Sequence, residues 1–462
     1  MTTRREFIAL PGALILSACA SGPSPSPSAS GSEFPPIVFV HGNGDSASIW
    51  QTTLWRFESN GWPRDRLFAL DQPYPLARED DGAEQPGRSS TTQHMEFLRG
   101  EVERVLRATG AKQVVLFANS RGGYAVRNYI QNGGGASHVS HAILSGTPNH
   151  GVWNIPGRSP GSEFAGNGAF LQALNKPKDP QGDEVTGPVK WLTIRSDRND
   201  KFAQPQGTWI GDPKLATNIA YDAPALKGAT NVVLPGVDHR ETAFSAPAFE
   251  AAYRFITGKP PATLQIVPED HIMLSGRITG LGLTSTDPAS GIYPNNLPLP
   301  GAKLEVFATD PATGERRGPA VLTQTVDASG AWGPLHAQPG ATYEFEVSAP
   351  GYATTHIYRS PFPRSSSIVN LRPERLSFID KDVPAMVIFT RPRGYFDPQR
   401  DKMIFDRRSP PPGVQPGAGI SLSRIKLLET GRAVSGEFNG EKITGRTWPV
   451  TEDQVTVLEL TY

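Results

Sequence analysis

Ser120 stands in Ala118-Asn119-Ser120-Arg121-Gly122, directly after the apolar run Val114-Val115-Leu116-Phe117, and a helix-like pattern follows. A serine hydroxyl is a poor nucleophile at neutral pH. One that attacks must be exposed on a sharp strand-to-helix turn, beside a base and backbone donors. The residues two before and two after such a serine crowd each other in the turn, which is why Gly is usual at both places. Here they are Ala118 and Gly122, and Ala is the smallest departure that keeps a side chain. An ordinary strand-to-helix turn can carry the same five residues, so the neighbouring elements decide.

Those elements supply the missing partners. Ile37-Val38-Phe39-Val40 is an apolar strand that runs into His41-Gly42-Asn43-Gly44, a Gly-bearing turn where a second oxyanion donor would sit. Val189-Lys190-Trp191-Leu192-Thr193-Ile194 reads as a third strand, followed by Asp197 and Asp200. Asn231-Val232-Val233-Leu234 is a fourth, followed by Asp238 and His239. The chemistry-bearing residues thus come in the order Ser, Asp, His, each after its own strand.

On these residues the chain resembles the α/β-hydrolase family, and within it bacterial lipases and esterases, over residues 34–258. Three motifs carry the resemblance: His41-Gly42, Ala118-Asn119-Ser120-Arg121-Gly122, and Ser145-Gly146-Thr147-Pro148-Asn149-His150-Gly151. The Ala form of the elbow is one that some bacterial lipases share. The resemblance implies Ser120 as nucleophile, His239 as general base, and the backbone N–H groups of Asn43 and Arg121 as the oxyanion hole. It favours Asp200 as the acid that orients His239, because Phe202 follows closely, as an apolar residue does in the family. Asp197 is the alternative, otherwise a loop residue bonding nearby backbone. No cofactor is implied.

Other residues receive structural readings. The Arg121 side chain, on a first helical turn, is expected in solvent or in a surface ion pair, and His41 is expected to brace the oxyanion turn. Asp238 adjoins the base, so its carboxylate is expected to point elsewhere. His150 is a candidate for the pocket wall, but the histidines form no cluster at metal-ligand spacing and no metal is indicated. Residues 151–187 hold one helix-like piece, 164–175, readable as a lid or as a scaffold helix. Residues 71–90 are expected to form a long loop near the pocket mouth.

Lys+Arg and Asp+Glu both number 45 in 462 residues, so the formal net charge is zero, and no basic block suggests nucleic acid. Neutral ester or lipid substrates are expected. At the start of the chain, Thr3-Arg4-Arg5-Glu6-Phe7-Ile8 resembles a twin-arginine export signal, and residues 8–18 are too short an apolar stretch to span a bilayer. Leu16-Ser17-Ala18-Cys19 resembles a lipobox, and Cys19 is the sole cysteine, so it is read as a lipid acceptor. The expected organisation is therefore an export signal (1–19), a Ser/Pro-rich tether (20–33) and the catalytic domain (34–258), with localisation as a membrane-anchored lipoprotein or in the periplasm or medium.

From Thr263 the helical periodicity gives way to short alternating runs with Gly/Pro turns, which predicts an all-β, sandwich-like region. Residues 263–372 resemble carboxypeptidase-regulatory-like β-modules. Residues 373–462 read as a further β-unit, or as the completion of one composite β-domain. Its aromatics, Trp332, Tyr352, Tyr395 and Trp448, are expected in the core. The functional expectation is a secreted or surface-tethered serine carboxylester hydrolase working through an acyl-enzyme, with the β-region positioning substrate. The alternatives are a depolymerase of polymeric esters and a catalytically dead scaffold lipoprotein.

Overall fold

The computed structural model describes residues 34–210, 212–285 and 291–462. The leader, Cys19 and the tether lie outside the described residues. Among the described residues, no helix is long and apolar enough to cross a membrane.

Six strands, β1 (Ile37–Val40), β2 (Leu67–Ala69), β3 (Val114–Asn119), β4 (Val139–Ser145), β5 (Lys190–Ser196) and β6 (Thr230–Leu234), pair in parallel in the spatial order β6-β5-β4-β3-β1-β2. A strand covered on both faces must be apolar at every position, and β1 and β3 are buried throughout. Alternate residues divide between two cores. Val38, Leu116 and Leu144 face one of them, with Leu98 and Val102 of α2 (Thr91–Thr109) and Val126 of α3 (Arg121–Asn132). Phe39, Phe117 and Ile143 face the other, with Phe57 of α1 (Gln51–Ser59) and Phe249 of a later helix at residues 246–257. Helix α2 shows how local sequence sets the boundaries. Ser90 and Gln93 form a reciprocal capping box at its start, and Gly110, at φ 66°, ends it in a conformation that costs other residues energy. In such sheets ligands bind beyond the carboxyl ends of the strands, and it is there that the predicted site residues lie.

The helix-like piece at 164–175 is realised as α4 (Ala169–Leu174), whose Leu171 and Leu174 pack on Tyr124 of α3. It is therefore a scaffold helix, and the loop before it, not the helix, reaches the pocket described below. After β6 come α5 (Glu241–Phe244) and α6 (Ala246–Thr257).

The following region is built almost entirely of strands. Its seven-stranded sheet runs from β10 (Lys303–Thr309) and β11 (Leu322–Thr325), through β13 (Thr342–Ser348) and β14 (Thr354–Arg359), to β15 (Ala385–Thr390), β17 (Leu422–Leu427) and β20 (Gln454–Glu459). The spatial order is β11-β10-β13-β14-β20-β15-β17. Because β20 pairs in parallel with both β14 and β15, the sheet crosses the expected boundary at 372/373. Residues 263–372 and 373–462 are one composite β-region, and the separate final unit is corrected to that extent. Ile357, Ile388 and Val457 face one core and Tyr358, Phe389 and Leu458 the other, again by the alternation of strands. The second core is closed by β16 (Met403–Phe405), β18 (Ala433–Phe438) and β19 (Glu441–Arg446), and β7 (Ile272–Arg277), β8 (Thr279–Leu283), β9 (Ile292–Pro298) and β12 (Ala331–Ala337) form two antiparallel pairs, β7 with β12 and β8 with β9.

Residues 34–462 pack as one compact unit. Trp55 of α1 is 1% exposed, belongs to the β-region's core, and donates from Nε1 to Ser365 O at 2.8 Å. Asn296 Nδ2 donates to Gln72 O (2.8 Å) and Asp45 O (2.9 Å), and Asn370 donates to Asp71. The segment at 258–261 therefore joins two packed regions, and does not tether separable ones.

Candidate active site

Ser120 sits between β3 and α3 at φ 53°, ψ −126°, a backbone conformation that β-carbon-bearing residues rarely adopt. The surroundings hold it there. Ser120 N donates to Ser145 O at 2.9 Å, and Gly123 N closes the turn on Ser120 O at 3.0 Å. A Cβ on Gly122 would lie 2.5 Å from Val40 O and 2.7 Å from His41 O, so glycine is what lets α3 pass the end of β1. A Cβ on Gly42 would lie 2.8 Å from Ser120 Cβ, which shows how closely the loop after β1 approaches the serine.

The Ser-Gly-Thr motif after β4 has a positional explanation. Ser145 Oγ donates to Ala118 O (2.8 Å), and Asn119 Nδ2 donates to Ser145 O (3.1 Å) and His239 O (3.3 Å). Gly146, at φ 54°, lets the histidine loop come so near that a Cβ would stand 2.7 Å from His239 O. Elbow, motif and histidine loop are thus one hydrogen-bonded assembly.

His239 Nδ1 lies 3.0 Å from Asp200 Oδ1 and 2.9 Å from Oδ2, and both residues are at most 3% exposed. Phe202 N donates to Asp200 Oδ1 (2.9 Å), and the Phe202 ring stands edge-on to the imidazole at 4.6 Å. A carboxylate on Nδ1 keeps the proton there and leaves Nε2 as the basic nitrogen. That Nε2 is buried and makes no hydrogen bond within 3.5 Å. Asp197 instead accepts from Gly236 N at 2.8 Å and does not touch the imidazole. Asp238 turns away too, accepting from Arg240 N, Glu241 N, Tyr395 N and Arg391 Nη1.

Asn43, Ser120 and His239 line one cavity of ≈ 330 Å³. The Asn43 side chain is taken by Ala77 N at 2.8 Å. Arg121 opens α3, and an N–H of a first helical turn has no intrahelical acceptor. Its side chain is not the solvated group expected. It is fully buried, paired through Nε with Glu163 Oε1 at 2.7 Å and through Nη2 with Ser89 O at 2.7 Å. Glu163 and Ser89 stand 42 and 32 residues from Arg121 in the chain, so a local reading could not identify them. His41 accepts from Gln72 N on Nε2 (3.0 Å) and donates from Nδ1 to Gly42 O (2.9 Å), and burial holds its pKa down, so it is a neutral brace of the loop. His150 is not a wall of this cavity; Nε2 pairs with Glu184 at 2.8 Å, which raises its pKa.

Sequence reading missed several wall residues. Val152, Trp153, Arg158 and Phe164 come from the loop before α4, Lys201 and Trp209 from the segment after β5, and Arg240 from beside the histidine. Tyr395 comes from the β-region; it is buried, at 6% exposed, as expected of a core aromatic, and it also lines this pocket. Trp332 is in the core, and Trp448 stacks on His356 at 3.9 Å. No motif marks Tyr395. Lys201 is flagged only by its place between Asp200 and Phe202.

Residues 35–152 match the family model for lipase (class 2), and residues 270–376 match that for the lipase C-terminal domain. Among solved structures, a Listeria innocua gene product is 15% identical over 50% of this chain and 97% of its own, with a TM-score of 0.34. Lipase B of Aspergillus fumigatus is 14% identical over 50% and 54%, with a TM-score of 0.34. The propeptide form of Bacillus licheniformis lipase BlEst2 is 13% identical over 68% and 90%, again at 0.34. The two family matches, one in each packed region, support a lipase or esterase, a hydrolase acting on esters.

Proposed function

We propose that the chain is a serine carboxylester hydrolase in which Ser120 attacks, His239 is the general base, and Asp200 orients His239. One observation carries the reading: a serine held at positive φ on a strand-to-helix turn shares a cavity with a histidine whose Nδ1 is held by a buried carboxylate. Ser120 Oγ bonds to the ester carbonyl carbon as its proton passes to His239 Nε2. The carbonyl oxygen becomes an oxyanion, received by the N–H groups of Asn43 and Arg121. As the C–O bond breaks, that proton leaves with the alcohol, and the acyl group stays on Ser120. Water then attacks the acyl-enzyme, gives its proton to Nε2, and the acid departs as Oγ is reprotonated.

Export and a lipid anchor at Cys19 are part of the same proposal, supported by the leader and lipobox residues alone. The test of the chemistry is Ser120→Ala. It is expected to abolish hydrolysis of 4-nitrophenyl butyrate and labelling by a fluorophosphonate, with the circular dichroism spectrum unchanged. Retained turnover would overturn the reading, and so would labelling at another serine.

A further inference from the structure

Lys201 is the least ordinary residue of the cavity. Its ammonium lies 4.2 Å from the centroid of the Tyr395 ring and 4.9 Å from that of Phe202. Among the described residues no carboxylate comes within 4.0 Å of it. A half-buried ammonium with aromatic rings and no carboxylate in contact has lost hydration without gaining an ion-pair partner. The other charged walls do not correct this. Arg240 is paired with Asp45 at 2.5 Å, while Arg158 lies over Trp153 at 5.3 Å and has no carboxylate partner among the described residues. The cavity walls therefore carry three cations against one carboxylate, in a chain whose formal net charge is zero. A concave, partly desolvated site of one sign concentrates ligands of the other.

Resting on the hydrolase reading above, we propose that this cavity takes esters bearing a negative charge on the acid or alcohol part, and that Lys201, held against the rings of Tyr395 and Phe202, is the group that binds that charge. The two rings fix the ammonium, so less side-chain freedom is lost when an anion arrives. Burial and then Arg240 lower the Lys201 pKa to about 8, against the raising by Asp45, Asp200 and Asp238. Lys201 is thus charged at neutral pH and loses its charge as pH rises through about 8.

The probes are two matched pairs: mono-4-nitrophenyl adipate with 4-nitrophenyl hexanoate, and 4-carboxyphenyl hexanoate with phenyl hexanoate. The first pair puts the carboxylate on the acid, the second on the alcohol. The expected result is that the anionic-to-neutral ratio of kcat/KM in one pair falls roughly tenfold in Lys201→Met and is retained in Lys201→Arg. In wild type that ratio should fall as pH rises through about 8. A binding arm does not need turnover: by calorimetry, monomethyl adipate or 4-carboxyphenyl hexanoate should bind Ser120→Ala roughly tenfold more tightly than Ser120→Ala/Lys201→Met. Ratios and affinities unchanged by Lys201→Met in both arms would overturn the proposal while Ser120-dependent turnover kept the hydrolase reading intact. Turnover that survives Ser120→Ala would sink that reading instead, and the ratio and binding arms would still decide the role of Lys201.

Discussion

Arg391 belongs to the β-region, yet its guanidinium is inserted beside the histidine loop, and removing it gives a test of whether the two regions form one working unit. The side chain is 4% exposed. Nη1 donates to Asp238 Oδ2 at 3.0 Å and to Tyr395 O at 2.6 Å, Nη2 pairs with Glu241 at 2.6 Å, and Nε donates to Tyr462 O at 3.2 Å. Asp238, fully buried, immediately precedes His239. Breaking a buried ion pair by removing one partner typically costs ~3–5 kcal/mol, because the other charge is stranded. Arg400 at 3.8 Å and the three backbone N–H donors to Asp238 remain, so Arg391→Met should fall near the lower end, about 3 kcal/mol. Burial and then Glu241 push the Asp238 carboxyl up to about 6, against the lowering by Arg391 and Arg400. An acid whose folded pKa is raised contributes stability that is full below its unfolded pKa and is lost as pH rises through the folded value. The penalty of Arg391→Met should accordingly be full at pH 7.5 and partly relieved at pH 5, where Asp238 can take up a proton. Urea denaturation followed by tryptophan fluorescence, on Arg391→Met, Asp238→Asn and the double variant, reads both points. Coupling in that cycle should exceed about 1 kcal/mol at pH 7.5. Additivity within about 0.5 kcal/mol, or a penalty independent of pH, would refute the buttress.

Three further outcomes follow from the geometry. Asp200→Asn should lower kcat for 4-nitrophenyl butyrate by roughly 10³–10⁴-fold, as loss of the orienting acid does in other triads, while Asp197→Asn stays near wild type; the reverse ranking would reassign the acid. Gly122→Ala should cost about 1–3 kcal/mol by overpacking against Val40 O and His41 O and should cripple turnover, read by denaturation and kinetics together, whereas wild-type stability would contradict the close approach. A chain cut after Gly258 should be insoluble or inactive even on short esters, because Trp55 would lose its core and Asp238 its guanidinium; a soluble, fully active monomer would show that the β-region is dispensable.

The sequence was most legible where structure is local. An apolar strand followed by a small-residue turn is written in consecutive residues, so β1, β3, β5 and β6 and the positions of Ser120, Asp200 and His239 after them could be read directly. The preference for Asp200 over Asp197 rested on Phe202, and in the structure Phe202 both donates to that carboxylate and stands against the imidazole. Legibility failed where a partner lies far along the chain. Arg121 resembles a surface cation until Glu163 and Ser89 are brought to it. The boundary at 372/373 stayed open between a further unit and one composite domain because nothing within β20 announces that it will insert between β14 and β15.

Charge shows the same limit most sharply. A zero net charge suggested a neutral substrate, but a sum over 462 residues constrains solubility and long-range association and says nothing of the field inside one cavity. That field is set by Arg158, Lys201 and Arg240, which stand on three different loops some forty residues apart, so no sliding window of the sequence groups them. The single carboxylate among the walls, Asp45, is spent on Arg240. Tyr395 then completes the arrangement from nearly two hundred residues away, giving Lys201 a second ring beside that of Phe202 where no carboxylate is in contact. A β-region that supplies both a wall of the pocket and the guanidinium behind Asp238 is part of the site by construction, and its role in choosing the substrate must be tested in the whole chain.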